Sequence, residues 1–366
     1  MRLKVGILGT RGIPANYGGF ETFAEELAVR LVRRGHRVTV YGRSHFVDPQ
    51  LSTYRGVRVR VLPAIRQKYL ETVSHTALSV LRACFRGYDV CLVCNAANAF
   101  LCWLPRVAGQ RVVLNVDGIE RKRKKWNWLG RSFHRMGESL AVRFPDCFVT
   151  DARTTQDYYL SRYRRKSPFI PYGAPVGRLE SREALLKLGL EANRYLLFVS
   201  RLEPENNAHR VIRAYRKSGV DLPLVIVGDA PYNRPYIDQL RQLAGGINVL
   251  LPGAVYGKGY RELLSHCRCY VYGGEIGGIH PGLLEAMGAG CLVLVNDIPE
   301  NREAVADAGL FYPFNHEARL ARLMARVCGS PEDYRELRKA AQDRVRRRFD
   351  WERITEQYEE LFYGLL

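Results

Sequence analysis

Short apolar runs alternate with helical patterns along the whole chain, and that alternation limits the fold more than any other feature. Lys4–Leu8, Arg37–Tyr41, Val57–Leu62, Val90–Cys94, Val112–Val116 and Cys147–Thr150 read as strands. Strands in series with helices imply a parallel sheet covered on both faces. Phe20–Arg34 supplies a helix between the first two, with Phe23, Leu27 and Leu31 on one face and Gly35 at its end. The pattern restarts at Tyr195–Ser200, followed by a helix over Ala208–Ser218 and strands at Leu222–Val227, Ile247–Leu251, Cys269–Tyr272 and Cys291–Asn296. Between the two series lies SPFIPYGAP, Ser167–Pro175, which has the proline and glycine content of a hinge. Trp351, Ile354, Tyr358, Leu361 and Leu365 share one helical face and predict a terminal helix docked on a domain. The expectation is an α/β protein of two doubly wound, Rossmann-like domains facing each other across a cleft, over 1–170 and 171–349. Ligands then bind beyond the carboxyl ends of the strands.

Charge is distributed unevenly over this plan. The 366 residues include 56 Lys and Arg against 37 Asp and Glu, a net charge of +19. Residues 1–175 hold 30 of the basic and 12 of the acidic residues, so the first half carries +18 and the second +1. An anionic partner is expected on the first half. A content of 47% hydrophobic and 25% charged residues excludes a disordered chain. The start, MRLKVGILGTRG, enters strand-like sequence directly and predicts no signal peptide. The most apolar long stretch, Cys91–Pro105, is interrupted by Asn95 and Asn98 and is too short to span a bilayer. Cys91 and Cys94 form a CxxC without a second pair or a histidine cluster, so the nine cysteines read as reduced structural thiols of a cytoplasmic protein.

Two glycine-rich loops carry the chemistry. The first, GILGTRGIPANYGGFET, places Gly6, Gly9 and Gly12 at a spacing that fails the GxGxxG dinucleotide fingerprint. Gly18 and Gly19 open the following helix and offer backbone N–H groups to a phosphate, with Glu21 projecting into the cleft. A plain turn with a solvated helix-start carboxylate is the alternative. In the second half, Arg201 follows the strand Tyr195–Ser200 and stands ready to neutralise a diphosphate, with Asn206 five residues on. The stretch Gly273–Gly290 combines a glycine turn containing Gly277 and Gly278, then His280, Pro281 and Glu285. Its amides suit a diphosphate, and Glu285 can accept a hydrogen bond from a sugar hydroxyl. His280 is either a contact to the phosphate or sugar, or a structural histidine. No DxD-type acid pair for Mg²⁺ accompanies these loops, so no metal is expected.

At these residues the chain resembles the two-domain GT-B glycosyltransferases of retaining family 4. Arg201 matches the family's donor-phosphate arginine, and PGLLEAMGAGCLVLVND matches the donor-ribose segment ending the Glu-x7-Glu motif. GTRGIPANYGGFET, NVDGIERKRKKW, RLEPENN and GGIHPGLLEAM resemble the bacterial rhamnosyltransferase subgroup of surface-polysaccharide synthesis. The resemblance covers essentially the whole chain and implies a C-terminal helix, about 350–366, crossing back to the first domain. Two positions depart from the family: Asn206 replaces the usual lysine, and Gly277 replaces the first glutamate, with Glu275 out of register.

The resemblance implies a nucleotide-diphosphate sugar as donor, its base against Pro252-Gly253-Ala254-Val255, and no cofactor. Asp117 would lie near the reacting sugar, with Glu120 toward donor or acceptor; an Asx-type turn at Asp117 is the alternative. The acceptor hydroxyl would attack from the donor's leaving face while a diphosphate oxygen takes its proton. Rhamnose from a dTDP donor, passed to a lipid-linked saccharide, is the sharpest form. After Glu120 comes Arg121-Lys122-Arg123-Lys124-Lys125-Trp126-Asn127-Trp128, where cations interleaved with tryptophans suit an anionic membrane surface. That places the chain peripherally on the inner face of the plasma membrane. A basic nucleic-acid-binding protein and an NADP-dependent oxidoreductase using Gly42-Arg43-Ser44 are the rivals. Binding of nucleic acid is not expected, and no oligomeric state is implied.

Overall fold

The computed structural model describes every residue except Tyr17, Lys68, Tyr69, Lys124, Lys125, Pro231 and Tyr232, and the side chains of Lys122 and Pro331. The chain divides into two compact units, Met1–Tyr172 with Trp351–Leu366, and Gly173–Asp350.

The first unit runs β1 (Lys4–Leu8), α1 (Gly19–Arg33), β2 (Arg37–Arg43), β3 (Thr53–Tyr54), β4 (Val57–Leu62) and α2 (Glu71–Cys84). It continues with β5 (Val90–Cys94), α3 (Trp103–Val107), β6 (Arg111–Val116), α4 (Trp128–Ala141), β7 (Cys147–Thr150) and α5 (Arg153–Tyr163). Its seven-stranded sheet has the order β3-β4-β2-β1-β5-β6-β7. All pairs are parallel except the short β3–β4 hairpin. Val5, Ile7 and Leu8 of β1 and all five residues of β5 are buried, which explains why these strands read as continuous apolar runs.

The second unit opens with α6 (Glu183–Lys187), β8 (Leu196–Val199), α7 (Ala208–Ser218), β9 (Leu224–Val227), α8 (Arg234–Ala244), β10 (Val249–Gly253) and α9 (Gly257–His266). Next come β11 (Cys269–Tyr272), α10 (Pro281–Gly288), β12 (Val293–Asn296), α11 (Pro299–Val305), β13 (Leu310–Tyr312), α12 (Glu317–Gly329) and α13 (Arg335–Arg348). Its six strands are ordered β10-β9-β8-β11-β12-β13, all parallel. β10 reaches Gly253, so Pro252 and Gly253 are strand rather than loop, and the connection to α9 begins at Ala254. The sequence reading also missed β3 and β13, which are only two and three residues long and too short to show a period.

The last helix, α14 (Trp351–Leu365), belongs to the first unit, where it packs on α1. Trp351, Ile354, Tyr358 and Phe362 are its buried residues on that face, whereas Leu361 and Leu365 stay partly exposed. Phe23 of α1 sits among Tyr172, Tyr358 and Trp351, with ring centroids at 5.3, 5.3 and 6.5 Å. The Tyr358 hydroxyl accepts a hydrogen bond from Asn115 Nδ2 at 2.7 Å, pinning α14 to β6. Arg30 and Arg34 add ion pairs to Glu352 and Glu359 at the solvent edge. Apolar contact should therefore hold this helix. Phe362→Ala is expected to cost about 3–5 kcal/mol in urea unfolding, and Glu352→Ala less than about 1 kcal/mol; equal losses would contradict that ranking.

Candidate functional site

In the second sheet the strand order reverses between β8 and β11, because β9 and β10 lie on one side and β12 and β13 on the other. Such a reversal opens a crevice at the carboxyl edge, since the two outgoing loops diverge. The loop after β8 opens with Ser200 and Arg201, and the loop after β11 spans Gly273–His280 before α10. Hydrogen bonds fasten the two together. Asn207, at φ +62°, donates from Nδ2 to the Gly273 carbonyl at 2.8 Å and to Glu275 Oε1 at 2.9 Å. The Glu275 amide donates to the Glu205 carbonyl at 3.0 Å. Asn315 Nδ2 also donates to Glu275 Oε1, at 2.7 Å.

Arg201 is partly buried, and its guanidinium has no ion pair or hydrogen bond among the described residues. Asn206 is 5% exposed, and its Nδ2 donates to the Arg201 carbonyl at 2.7 Å, bracing the loop. Gly277 adopts φ +148°, a left-handed value that favours glycine, and a Cβ there would meet nothing within 4 Å. Gly278 beside it is partly exposed. His280 precedes the first turn of α10, with its ring 5.0 Å from that of Tyr272, and Pro281 occupies the first helical position. Glu285 lies one turn further, where Oε2 accepts a hydrogen bond from the Tyr260 hydroxyl at 2.7 Å. Ala254 is exposed and Val255 partly buried at the end of β10.

In the first sheet the order reverses between β1 and β5. Gly9 has φ +87°, and a Cβ there would come within 2.6 Å of the Cys94 carbonyl, so β1 and β5 can approach at this point only through a glycine. The loop that follows is tied to the helix it feeds. Glu21 Oε1 accepts from the Arg11 amide at 2.8 Å, and Glu25 Oε2 accepts from the Ala15 amide at 2.7 Å. Glu21 is 5% exposed. It fastens its own loop rather than projecting outward, because a buried carboxylate must take such partners. Gly18 is the N-cap of α1 and Gly19 its first residue, both partly exposed.

Asp117 and Glu120 follow β6. Asp117 caps no helix: the turn Glu120–Lys122 has Ile119 at its N-cap and no side-chain cap. The basic segment is less exposed than expected. Arg123 is 7% exposed and pairs with Glu120 Oε2 at 2.6 Å. Arg121 pairs with the buried Glu138 at 3.2 Å and donates to the Tyr158 hydroxyl at 2.9 Å. The Tyr158 hydrogen bond is the first cause that raises the Arg121 pKa. Trp126 packs against His134, ring centroids 4.6 Å apart, whereas Trp128 is 73% exposed at the start of α4. Lys124 and Lys125, and the Lys122 side chain, lie outside the described residues.

Arg43, the residue an NADP phosphate would need, is 3% exposed and pairs with Glu71 at 2.6 Å. Arg11 and His45 approach the same carboxylate at 3.5 and 3.1 Å. Burial opposes ionisation of Glu71, but Arg43 and Arg11 outweigh it and hold the carboxyl at about 2. Neighbouring His75 is wholly buried, with Nε2 donating to the Gly42 carbonyl at 3.0 Å; burial, then the charge of Arg43, lowers it to about 4.

Sequence reasoning missed Asn207, Asn315 and Tyr260, whose hydrogen-bonding side chains carry no spacing signal. It also missed Asp151, which directly follows β7 just as Asp117 directly follows β6. That strand-end position was a usable signal. Among the described residues no group of three or more His, Cys, Asp and Glu side chains could hold a metal, and no helix is long and apolar enough to cross a membrane.

Residues 182–344 match the family described as glycosyl transferases group 1, and residues 18–173 match the glycosyl transferase 4-like domain. The chain thus carries a glycosyl transferases group 1 domain and a glycosyl transferase 4-like domain, on the two units of a GT-B fold. An alpha-maltose-1-phosphate synthase of Mycolicibacterium smegmatis is 28% identical over 257 residues, covering 62% of this chain and 65% of that protein. An O-antigen chain mannosyltransferase B of Escherichia coli is 27% identical over 192 residues, covering 50% of this chain and 49% of that protein. The matches thus span less than two thirds of either relative. The Anabaena protein HepE, solved with UDP and glucose, has a TM-score of 0.81 at 18% identity over 99% of this chain and 100% of that one, a likeness of fold.

The buried His75 makes a pH prediction. The unfolded chain binds a proton there below about pH 6.5 and the folded chain only below about 4, so stability is full above the first value and falls as pH drops toward the second. Urea unfolding should show a loss of roughly 2–4 kcal/mol across this window, removed by His75→Gln. An unchanged slope in the variant would contradict the buried neutral imidazole.

Proposed function

We propose that the protein is a retaining glycosyltransferase that moves a hexose or deoxyhexose from a nucleotide-diphosphate donor to a lipid-linked saccharide, in cell-surface polysaccharide synthesis. The observation that carries this reading is the Arg201 guanidinium. It has no partner among the described residues, although it leaves a strand at the sheet's reversal beside a glycine turn. A cation left without a counter-ion at such a crevice fits a diphosphate leaving group. The amides of Gly277 and Gly278 supplement it, and Glu285, oriented by Tyr260, takes a donor hydroxyl. The base lies against Ala254 and Val255, and His280 takes a phosphate or sugar oxygen. The relatives' names and the UDP bound by HepE support a nucleotide-sugar donor, and the O-antigen relative supports a polysaccharide product.

In the reaction the bond from the anomeric carbon to the diphosphate oxygen breaks and a bond to the acceptor oxygen forms on the same face. The acceptor's proton goes to the diphosphate, and no enzyme nucleophile or metal takes part. In the first unit, Gly18 and Gly19 offer backbone amides to an anion, and Asp117 and Glu120 offer carboxylates to a sugar. The protein's share is positioning and stabilisation of the departing charge. Rhamnose from dTDP-rhamnose is the donor we favour. Trp128 and the lysines Lys122, Lys124 and Lys125 dock the first unit on the anionic inner face of the plasma membrane.

Arg201→Ala should lower donor-dependent turnover by at least about 10²-fold in a screen of dTDP-, UDP- and GDP-sugars with EDTA present, with thermal unfolding unchanged. Near-normal turnover would refute the phosphate assignment, and chelator sensitivity would refute the metal-free one. Joint replacement of Lys122 and Trp128 by Ser should weaken binding to anionic vesicles and spare donor binding. Unchanged vesicle affinity would refute the membrane reading.

A further inference from the structure

Asp117 follows β6 and Asp151 follows β7, and the parallel register pairs Val116 with Thr150, so the two aspartates come next, side by side. Asp151 is wholly buried, and neither carboxyl oxygen has a partner in hydrogen-bond geometry. The groups that act on it are the Asp117 carboxyl and the amides of Asp151 and Gly118. The surroundings are uncharged or acidic. Tyr172 and Tyr358 hydrogen-bond to Asn115 of β6, and both hydroxyls are pushed upward, burial first. Cys94 on β5 is raised by burial, then by Glu21 of α1 and Asp117. Among the described residues no Lys, Arg or His is hydrogen-bonded or ion-paired to either aspartate. Asp117 is partly exposed, whereas Asp151 is cut off from water, and a carboxyl so buried beside a second carboxyl and without a cation does not ionise alongside it. Burial, and then Asp117, accordingly push Asp151 well above the usual carboxylate range.

We propose that Asp151 is a positioning residue for sugar transfer: it keeps a proton that it shares with Asp117, and so fixes the Asp117 carboxylate as a hydrogen-bond acceptor for substrate. The proposal rests on the reading of Asp117 as a residue that touches the reacting sugar. A neutral acid orients Asp117 without cancelling its charge, as a lysine or arginine would. The pair retains one negative charge, which favours the positive character that develops on the sugar ring as the bond to the leaving oxygen lengthens.

Two variants separate these claims. Asp151→Asn keeps a neutral donor in the same volume, and Asp151→Leu keeps the volume without the donor. Thermal unfolding of the full chain tests the proton. Asp151 is protonated when folded and ionised when unfolded above about pH 4, so the Tm of Asp151→Asn relative to wild type should rise from about pH 4 to about pH 8. A constant difference overturns the shared proton, whatever the activity. Kinetics with the nucleotide sugar test the role. Asp151→Asn should keep kcat within about threefold and lose the alkaline decline that ionisation of the pair gives wild type. Asp151→Leu should lose about 10²-fold in kcat at unchanged donor KM. Equal loss in both folded variants overturns positioning. Wild-type kcat in Asp117→Asn with the thermal result intact shows instead that the reading of Asp117 fails, and the role given to Asp151 with it.

Discussion

Parallel strands covered by helices on both faces send every strand-to-helix loop out at one edge of the sheet. The candidate chemistry of this protein depends on that constraint. In the second unit it gathers Arg201, the glycine turn and the start of α10 around the reversal between β8 and β11. In the first it brings the Gly9 loop beside β5, and Asp117 beside Asp151 at the ends of β6 and β7. The helix α14 returns to the first unit and completes its cover, with Tyr358 reaching Asn115 directly beneath the aspartates.

Buried and partly buried acids decide which cations remain available. Glu71 engages Arg43, Arg11 and His45, Glu138 engages Arg121, and Glu120 engages Arg123. Most of these pairs hold loops in place and are lost to an incoming anion, because breaking one would strand a buried charge. The excess of positive charge in the first half is therefore a poorer guide to a binding face than it looked as a count. Arg201, in the half that is nearly neutral, is a partly buried cation with no ion pair or hydrogen bond among the described residues.

Much of the fold was legible because its strands are buried on both faces, so that runs such as Val90–Cys94 stand out from their surroundings. Boundaries failed where a strand is short or ends in Pro-Gly, as at β13 and Pro252-Gly253. At the candidate site, residues marked by glycine spacing or by position after a strand were legible, among them Gly277, Arg201 and Asp117. Side-chain commitments were not. Nothing in the residue order says that Asn206 braces the Arg201 carbonyl, that Glu21 takes the Arg11 amide, or that Arg123 turns inward to Glu120. These follow from which polar atoms the packing removes from water, a property of the folded chain. Phe362 replaces Leu361 and Leu365 in the buried face of α14 for a similar reason: the aromatic cluster around Phe23 selects it.

The central claim is that the second unit binds a nucleotide through its diphosphate. Calorimetric titration of the full chain with a nucleoside diphosphate and with the matching monophosphate, in the presence of EDTA, tests it most directly. The account predicts that the diphosphate binds at least about tenfold more tightly, a difference of about 1.4 kcal/mol contributed by the contacts of the terminal phosphate. Equal affinity for the two nucleotides would contradict it.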